Sequence, residues 1–362
     1  MTMRRRVLVV GNLLTGTGSN QSTSEETVAQ LREAGWSVIA TSSRRDRVLR
    51  LADMLLAVVR NRHSVDVAEV SIFSDTAFLW AEATTWALRR FRIPYVATLR
   101  GGALPEFARR WPRRVKAVLW GAAIVVSPSP YLQRELAWVR DDIRVVPNAV
   151  NAGAYEHRPQ RLLRPRMVWL RAFHRMYDPV TAVVALAELL ARHPEATLRM
   201  VGPDKGDGSL QAVRETALRL GIAERLGLTL GVPKAEVPKV LAEGDVFLNT
   251  SLIDNTPVSV IEALAAGLCV ISSAVGGVPD LLTDGVDGLL VPPGRPAATA
   301  AAVERLLTNP DLAAGLSTNA RRKAEMWSWD RVRPLWSGLL ADAALGRAAA
   351  SHETPRVSVE RD

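Results

Sequence analysis

The sequence predicts an α/β protein of two Rossmann-like domains, each a doubly wound parallel sheet, that face one another across a central cleft. The chain has 362 residues, which is longer than one hydrophobic core usually supports, so two domains are expected. Hydrophobic residues make up 48% and charged residues 23%, which is the range of ordinary compact proteins. Short apolar runs alternate with segments of helical periodicity in both halves, and this alternation is typical of parallel sheets covered on both faces.

The first half begins with a strand and a glycine-containing loop. Residues 7–10 form a short β-branched run closed by Gly11, which is typical of a buried parallel strand. The loop that follows contains Gly16 and Gly18, and residues 23–26 form a helix N-terminal signal, so a β-α-β unit is predicted. The alternation continues with predicted strands at 38–40, 65–70, 95–99, 122–126 and 143–146 and predicted helices at 49–59 and 77–88.

The second half repeats this pattern after a polar connection at residues 151–165, which contains one glycine and two prolines. Strands are predicted at 167–170, 197–201, 229–230, 246–249 and 269–272, and helices at 180–191, 210–220, 258–266, 297–307, 311–326 and 327–349. The predicted domains are therefore 1–157 and 158–327. A terminal segment, 328–362, follows, and its last residues, 352–362, are expected to be frayed.

Positive charge is concentrated in the first half of the chain. Residues 1–150 hold 22 Lys and Arg against 13 Asp and Glu, whereas residues 151–362 hold 24 of each. Such a field raises the local concentration of anionic partners without choosing among them. The segment 107–116 interleaves aromatic with cationic side chains, which suits peripheral contact with an anionic membrane, and an ordinary solvated helix is the equal alternative.

The sequence predicts a cytoplasmic protein that could also work at the inner face of the membrane. Cys269 is the only cysteine and lies in an apolar run, so it is expected to pack in the core of a protein from a reducing compartment. The run at 7–10 is too short for a secretory signal because Gly11 breaks it. No apolar stretch approaches the roughly 20 residues needed to span a bilayer, so membrane contact would be peripheral.

The strongest local signal for a binding site lies in residues 249–267. Pro257 suits the first turn of a helix, because its missing N–H would have no partner there. Asp254 is expected on the loop before this helix and Glu262 a little over one turn inside it, so both can face one ligand. The helix start offers partial positive charge to a diphosphate, and the carboxylates offer acceptors to sugar hydroxyls. The alternative is that Asp254 only caps the helix and Glu262 lies on a solvated face.

This segment resembles the signature of family 4 of the retaining glycosyltransferases, which have the GT-B fold: a Glu, seven residues, a second Glu, a short helix and a Gly. Asp254 takes the first Glu position and Glu262 the second, which implies a sugar-hydroxyl contact for Asp254 and a ribose contact for Glu262. The resemblance covers nearly the whole chain, with similar segments at 145–150, 199–202, 275–280, 284–292 and 327–330. The last of these resembles a closing segment whose helix crosses back onto the first domain.

The resemblance also implies a phosphate clamp and a set of donor contacts. Arg171 matches the strand end where the family places an arginine that neutralises the donor's phosphates. The lysine expected about five residues later is Met176 here, so either Arg175 replaces it or the clamp is weaker. The implied donor-binding residues are Gly16, Gly18, Arg175, Gly202, Val232, Asn255, Thr256, Pro257, Val258 and Ser259.

On the acceptor side, Arg100 stands where many relatives carry a histidine facing the reacting sugar. A guanidinium stays protonated, so it cannot act as a general base but can stabilise negative charge. Gly101 and Gly102 allow close backbone approach of an acceptor. The candidate catalytic residues are therefore Arg171, Asp254, Glu262 and Arg100.

Together these features predict a retaining glycosyltransferase that moves a sugar from a nucleotide diphosphate to a hydroxyl of a glycan, a lipid-linked acceptor or a small molecule. Metal independence is expected, because Asp-x-Asp motifs and His or Cys ligand clusters are absent from the sequence. A sugar-nucleotide epimerase of the same fold and a catalytically degenerate binding protein are the alternatives. A dehydrogenase fingerprint is incomplete, and no nucleic-acid recognition module accompanies the basic residues.

Overall fold

The computed structural model describes residues 5–11, 13, 23–157 and 162–346. These residues form two six-stranded sheets with helices packed on them. The predicted donor-side residues Gly16 and Gly18, and the predicted frayed end at 352–362, lie outside the described residues. Every strand pairing in both sheets is parallel. The predicted architecture of two doubly wound parallel sheets is therefore confirmed.

The first sheet contains the strands β1 (Arg6–Val10), β2 (Ser37–Thr41), β3 (Val67–Ile72), β4 (Tyr95–Leu99), β5 (Ile124–Ser127) and β6 (Arg144–Val145). Their spatial order is β2-β1-β3-β4-β5-β6. The helices of this part are α1 (Thr23–Glu33), α2 (Arg47–Asn61), α3 (Phe78–Arg90), α4 (Leu104–Arg110), α5 (Pro112–Trp120) and α6 (Pro130–Leu136).

The second sheet contains the strands β7 (Arg166–Leu170), β8 (Thr197–Val201), β9 (Leu226–Thr229), β10 (Val246–Asn249), β11 (Cys269–Ser273) and β12 (Leu289–Val291). Its helices are α7 (Pro179–Leu190), α8 (Ser209–Arg219), α9 (Val237–Ala242), α10 (Val258–Ala265), α11 (Val278–Leu281), α12 (Pro296–Thr308) and α13 (Pro310–Met326), and α14 (Trp329–Ala344) follows them. The order β12-β11-β10-β7-β8-β9 reverses direction between β7 and β10. Ligands of such sheets bind at this switch point, outside the carboxyl ends of the strands.

The first strand shows why these runs are apolar throughout. Val7 and Val9 belong to the core on one face of the sheet, and Leu8 and Val10 to the core on the other face. All four side chains are buried because helices cover both faces. A strand buried on both sides reads as a continuous apolar run rather than an alternating one.

The two faces of the first sheet are covered by different helices. Helices α2 to α6 supply the core on one face, with Met54, Phe78 and Leu119 among its buried side chains. On the other face α1 lies beside α14, which returns from the end of the second sheet and buries Trp329 and Trp336. Within the described ranges, every helix is too short or too polar to span a bilayer.

Candidate active site

Two of the predicted catalytic residues meet at the switch point of the second sheet. Arg171 is the first residue after β7, and Asp254 lies on the loop that joins β10 to α10. The Arg171 Nη2 donates a hydrogen bond to Asp254 Oδ2 at 2.6 Å. This ion pair is largely shielded from water, with 14% of the Arg171 side chain and 9% of the Asp254 side chain exposed.

The surroundings of the pair fix the orientation of both side chains. The Tyr177 ring lies against the guanidinium of Arg171, with 4.0 Å between Cζ and the ring centroid. Asp254 Oδ2 also accepts from the Ser251 hydroxyl at 2.9 Å, and its Oδ1 accepts from the Asn255 amide at 3.0 Å. Asp254 makes no cap bond to α10, so the alternative that it only caps this helix is wrong.

Glu262 is held by two side chains that bind the same carboxylate oxygen. Tyr155 Oη donates to Glu262 Oε1 at 2.8 Å, and Lys234 Nζ donates to the same oxygen at 2.6 Å. Among the described residues, no hydrogen bond to Oε2 accompanies these two bonds to Oε1, so this oxygen is available to a ligand. Glu262 is buried, and the alternative of a solvated face is therefore wrong.

The protonation states around Glu262 favour this arrangement. Burial raises the pKa of Tyr155 and the negative charge of Glu262 raises it further, so the hydroxyl keeps its proton and donates. Burial lowers the pKa of Lys234, but the carboxylates of Glu262 and Glu26 more than offset this, and its pKa lies above the ordinary value. Lys234 is therefore a permanent cation at neutral pH.

Asn255 and Thr256 join this loop to the first domain. Asn255 Oδ1 accepts a hydrogen bond from the Ser129 hydroxyl, just beyond β5. The Thr256 carbonyl accepts from Asn148 Nδ2 at 2.9 Å, and the Thr256 hydroxyl donates to the Pro128 carbonyl at 3.3 Å. The predicted donor residues Asn255 and Thr256 thus also link the carboxyl ends of the two sheets.

The start of α10 differs from the sequence prediction by one residue. Pro257 has an extended ψ of 117° and precedes the helix, which begins at Val258. The prediction that Pro257 lies within the first turn is wrong, because only its φ of −65° is helical. The Ser259 hydroxyl is buried in the first turn and has no hydrogen-bond partner among the residues the structure describes.

Several glycines let backbone segments meet at the site. A Cβ at Gly202 would lie 1.7 Å from the carbonyl oxygen of Arg171, so only glycine fits beside the predicted phosphate clamp. Gly102 of the first domain and Gly276 of the second pack on the backbone of Asp254, where a Cβ would come within 2.8 Å and 1.9 Å of it. The predicted acceptor-side Gly102 is therefore in direct contact with the donor-side loop.

The remaining predicted residues lie around this centre. Val232 follows β9, is half-buried and packs on apolar side chains of the second sheet. Gly101 is exposed and has a φ of +82°. Arg175 is exposed, and its backbone amide donates to Asp207 at 2.8 Å. Within the described ranges, its guanidinium makes no hydrogen bond or ion pair with the Arg171 and Asp254 pair. The Met176 carbonyl instead supports the site loop by accepting from the Leu252 amide at 2.8 Å.

Arg100 is buried on the first-domain side of the cleft. Its Nη1 donates to Asn148 Oδ1 at 3.1 Å, and Asn148 in turn donates to Thr256. Burial lowers the pKa of Arg100, and the buried carboxylate of Glu69 in β3 opposes this change. Burial likewise raises the pKa of Glu69, with Arg100 opposing. Arg100 is therefore linked to the loop that carries Asp254 through Asn148, which bonds to Thr256.

Sequence reasoning missed Tyr155, Lys234, Tyr177 and Glu69. Tyr155 lies 107 positions from its partner Glu262, within the segment interpreted as a connection. Lys234 follows β9 at the carboxyl edge of the second sheet. This position after a predicted strand is the sequence feature from which Lys234 could have been found. Among the described residues, no group of three or more His, Cys, Asp or Glu side chains is placed to hold a metal ion.

Residues 161–323 match the family model for glycosyl transferases group 1. The D-inositol 3-phosphate glycosyltransferase of Segniliparus rotundus is 27% identical over 257 residues, covering 67% of this chain and 57% of that protein. A GDP-mannose-dependent alpha-(1-6)-phosphatidylinositol monomannoside mannosyltransferase of Mycolicibacterium smegmatis is 32% identical over 174 residues, covering 46% of this chain and 44% of that protein. The matched parts thus span about half the length of these curated relatives.

Solved structures resemble the whole chain more closely in fold than in sequence. Sucrose-phosphate synthase from Thermosynechococcus elongatus superposes with a TM-score of 0.77 at 18% identity, covering 94% of this chain and 99% of that one. Anabaena HepE in complex with UDP and glucose gives a TM-score of 0.74 at 17% identity, covering 93% and 99%. At these identities the likeness concerns the fold.

Proposed function

We propose that this chain, which has the GT-B fold and whose residues 161–323 match the glycosyl transferases group 1, is a retaining, metal-independent glycosyltransferase. The proposed donor is a nucleotide diphosphate sugar, and the proposed acceptor is a hydroxyl of a glycan, a lipid-linked molecule or a small molecule. The observation that supports this best is the Arg171 and Asp254 ion pair at the switch point of the second sheet, where the helix that follows also carries the buried Glu262.

In the proposed complex, the donor's ribose hydroxyls bond to Glu262 Oε2. Tyr155 and Lys234 hold Oε1 and so keep the carboxylate from rotating. The diphosphate lies near Arg171 and the first amides of α10, where a guanidinium and a helix start both favour an anion. Because Arg171 is bound to Asp254 before the donor arrives, the phosphate must share or displace this contact. Asp254 then has an oxygen available for a sugar hydroxyl.

In the proposed reaction, the bond between the anomeric carbon and the leaving phosphate oxygen breaks through an oxocarbenium-like state. The acceptor hydroxyl attacks from the same face, and the leaving phosphate takes the proton of that hydroxyl, so the anomeric configuration is retained. Arg171 stabilises the charge that develops on the phosphate, in a site from which water is largely excluded. Metal independence is supported by these fixed positive groups at the leaving-group position.

The proposed partners and location extend this assignment. HepE was solved with UDP and glucose, and the Mycolicibacterium relative is described as GDP-mannose-dependent, so uridine and guanosine donors are both candidates. The predicted cytoplasmic location, the predicted contact of residues 107–116 with an anionic membrane and the absence of a nucleic-acid partner belong to the same proposal. The epimerase and the degenerate binding protein are not favoured by the comparisons.

The test is to incubate the purified chain with a mixture of UDP-, GDP- and ADP-sugars and to identify hydrolysis and transfer products by mass spectrometry. One donor should be consumed by the wild type, at a rate unaffected by EDTA, and Asp254→Asn should lose most of this activity. Arg219→Gln is the matched control, because it removes an exposed arginine from the last turn of α8, away from the ion pair. NMR of the product anomer tests retention, and an inverted product or a loss of activity on chelation would contradict the proposed mechanism.

A further inference from the structure

The outer surface of the first domain has an unusual helix. On α2, the exposed side chains Leu49, Leu56 and Val59 recur at helical spacing and form an apolar stripe, with Val48 beside it. The inward side of the same helix is also apolar, because Met54 and Val58 pack in the core. A surface helix of a soluble domain normally turns a polar face outward. Helix α2 is therefore apolar on two opposite faces, and only one of them is covered.

The exposed tryptophans of the described residues all belong to the same helical layer. Trp86 on α3 is 63% exposed and Trp120 at the end of α5 is 68% exposed. Trp111 between α4 and α5 and Trp138 just after α6 are exposed to a lesser degree. Helix α3 contacts both α2 and α5, so these rings and the α2 stripe lie on one side of the first sheet. Tryptophan has an apolar body and a polar N–H, which suits the boundary between water and lipid.

The charge of this layer is strongly positive. Helices α2, α3, α4 and α5 together contain ten Lys and Arg against three Asp and Glu. Two of these acids do little to reduce the positive charge. Glu82 is bonded to Arg114, and Glu106 lies on the same short helix as Arg109 and Arg110. Exposed cations stand at the ends of two of the helices, among them Arg60 on α2 and Arg90 on α3.

The segment 107–116 alone would be a weak contact surface. Phe107 and Val115 are buried in the core, and Arg109 and Arg114 form ion pairs with Glu135 and Glu82. The exposed apolar groups are supplied instead by α3, which contacts α5, and by α2, which contacts α3. The cationic segment and the apolar stripe are therefore parts of one larger face.

We propose that the face formed by α2, α3 and α5 docks on an anionic lipid bilayer, with Leu49, Leu56 and Trp86 inserted at the headgroup level. Lipid is the occupant that this chemistry favours, because anionic headgroups pair with the arginines while the acyl boundary accepts the apolar side chains. A second copy of the chain would bring an equally cationic face and be repelled. Nucleic acid would pair with the arginines but leave the stripe on α2 uncovered.

This docking would place the cleft at the membrane. Helices that follow parallel strands begin at the carboxyl edge of the sheet, so the first residues of α2 and α3 lie on the side where the cleft opens. The apolar face thus extends toward the rim of the cleft. Resting on the proposed function, this position favours the lipid-linked class of acceptor over a freely diffusing one.

The experiment is flotation of the full chain with vesicles of equal parts phosphatidylglycerol and phosphatidylcholine, compared with vesicles of phosphatidylcholine alone. The wild type should float with the anionic vesicles only, and L56S/W86S should reduce the bound fraction about tenfold. The matched control is Leu218→Ser on α8, which removes a more exposed leucine from the second domain and should leave binding unchanged. R60Q/R90Q should weaken binding and flatten its salt dependence.

These substitutions are at exposed positions, so thermal melting should show that the variants stay folded. The proposal is overturned if the wild type does not float at low salt, or if L56S/W86S floats as well as the wild type. It is also overturned if the wild type forms a dimer that L56S/W86S abolishes, since the face would then bind a second copy. Flotation needs no turnover, so its result is independent of whether the chain transfers sugar.

Discussion

Arg171 and Arg100 both stand directly after a parallel strand, one in each sheet, yet the structure gives them different surroundings. Each is the first residue after a strand, and each backbone amide continues the ladder, to Val201 and to Ile72 respectively. Arg171 pairs with a carboxylate on a loop and lies against an aromatic ring. Arg100 is buried, with a strand carboxylate as its counter-charge and an asparagine between it and the cleft.

The comparison indicates that the position of its acidic partner determines whether an arginine at the end of a strand can bind a ligand. Asp254 lies on a loop between strand and helix at the carboxyl edge of the sheet, where ligands bind, so a ligand can compete for Arg171. Glu69 is inside β3, where no ligand can replace it as the counter-charge of Arg100. We therefore expect Arg171 to act on the donor directly and Arg100 to act by positioning Asn148 and Thr256.

The largest expected effect is that of Arg171→Met on turnover. Removing the cation that faces the leaving phosphate should lower kcat/KM for donor consumption about 10³-fold. The largely buried Asp254 also loses its cation, so the kinetics are measured at a temperature at which thermal melting shows the variant to be folded. Steady-state kinetics of the variant, compared with the control Arg219→Gln on α8, measure this. An equal loss in both variants, or a loss below tenfold in Arg171→Met, would show that Arg171 does not hold the phosphates.

The next effect is that of Arg100→Met, which should appear in stability rather than chemistry. It leaves Glu69 buried without its counter-charge, which costs about 3 kcal/mol of unfolding free energy. Adding Glu69→Gln should recover most of this loss, because the neutral amide needs no counter-charge. Chemical denaturation of the two variants measures it. If R100M/E69Q is as unstable as R100M alone, Glu69 is not the partner that matters.

The pH dependence sharpens the same comparison. Burial raises the pKa of Glu69 in the folded state, and removal of Arg100 should raise it further. A carboxyl with a raised pKa destabilises the fold as the pH rises past its unfolded value, because the folded state resists ionisation. The stability penalty of Arg100→Met should therefore shrink when the pH is lowered toward 4 and Glu69 becomes protonated. Denaturation at several pH values checks this, and a penalty independent of pH would contradict it.

A smaller effect is expected for Tyr155→Phe. The substitution removes one of the two donors to Glu262 Oε1 and leaves Lys234 in place. Loss of a single buried hydrogen bond is worth about 1 kcal/mol, so the donor KM should rise about fivefold with kcat nearly unchanged. A fall in kcat at constant KM would instead assign Tyr155 to the chemical step.

The sequence was sufficient for the fold and for the loop and helix that hold the predicted donor-side residues. Strand alternation predicted both sheets, and the spacing of Asp254 and Glu262 located the loop and helix at the switch point. These features can be predicted because each depends only on residues that are close together in the sequence, within one strand, loop and helix. Tyr155 and Lys234 were not predicted because their contacts with Glu262 arise only when distant segments cross over the end of the sheet.

Burial was the second property that the sequence did not reveal. The motif around Arg100 predicts a residue facing the sugar, but the acid that neutralises it lies 31 positions earlier, within a strand that reads as apolar. The stripe on α2 was hidden for the opposite reason. Its apolar residues satisfy a helical pattern, and only the structure shows that half of them face outward.

The smallest effect is expected for Arg134→Gln, which removes a contact between the two domains. Arg134 on α6 bonds to Asp280 on α11 at 2.9 Å, but 60% of its side chain is exposed. An exposed pair is screened by water and salt, so its loss should cost less than about 0.5 kcal/mol and leave the donor KM unchanged. The buried links through Asn148 and Gly102 remain in the variant and should hold the cleft together. Denaturation at low and high salt measures the difference. A cost above 1 kcal/mol that persists in high salt would show that this surface pair, rather than the buried links, holds the two domains together.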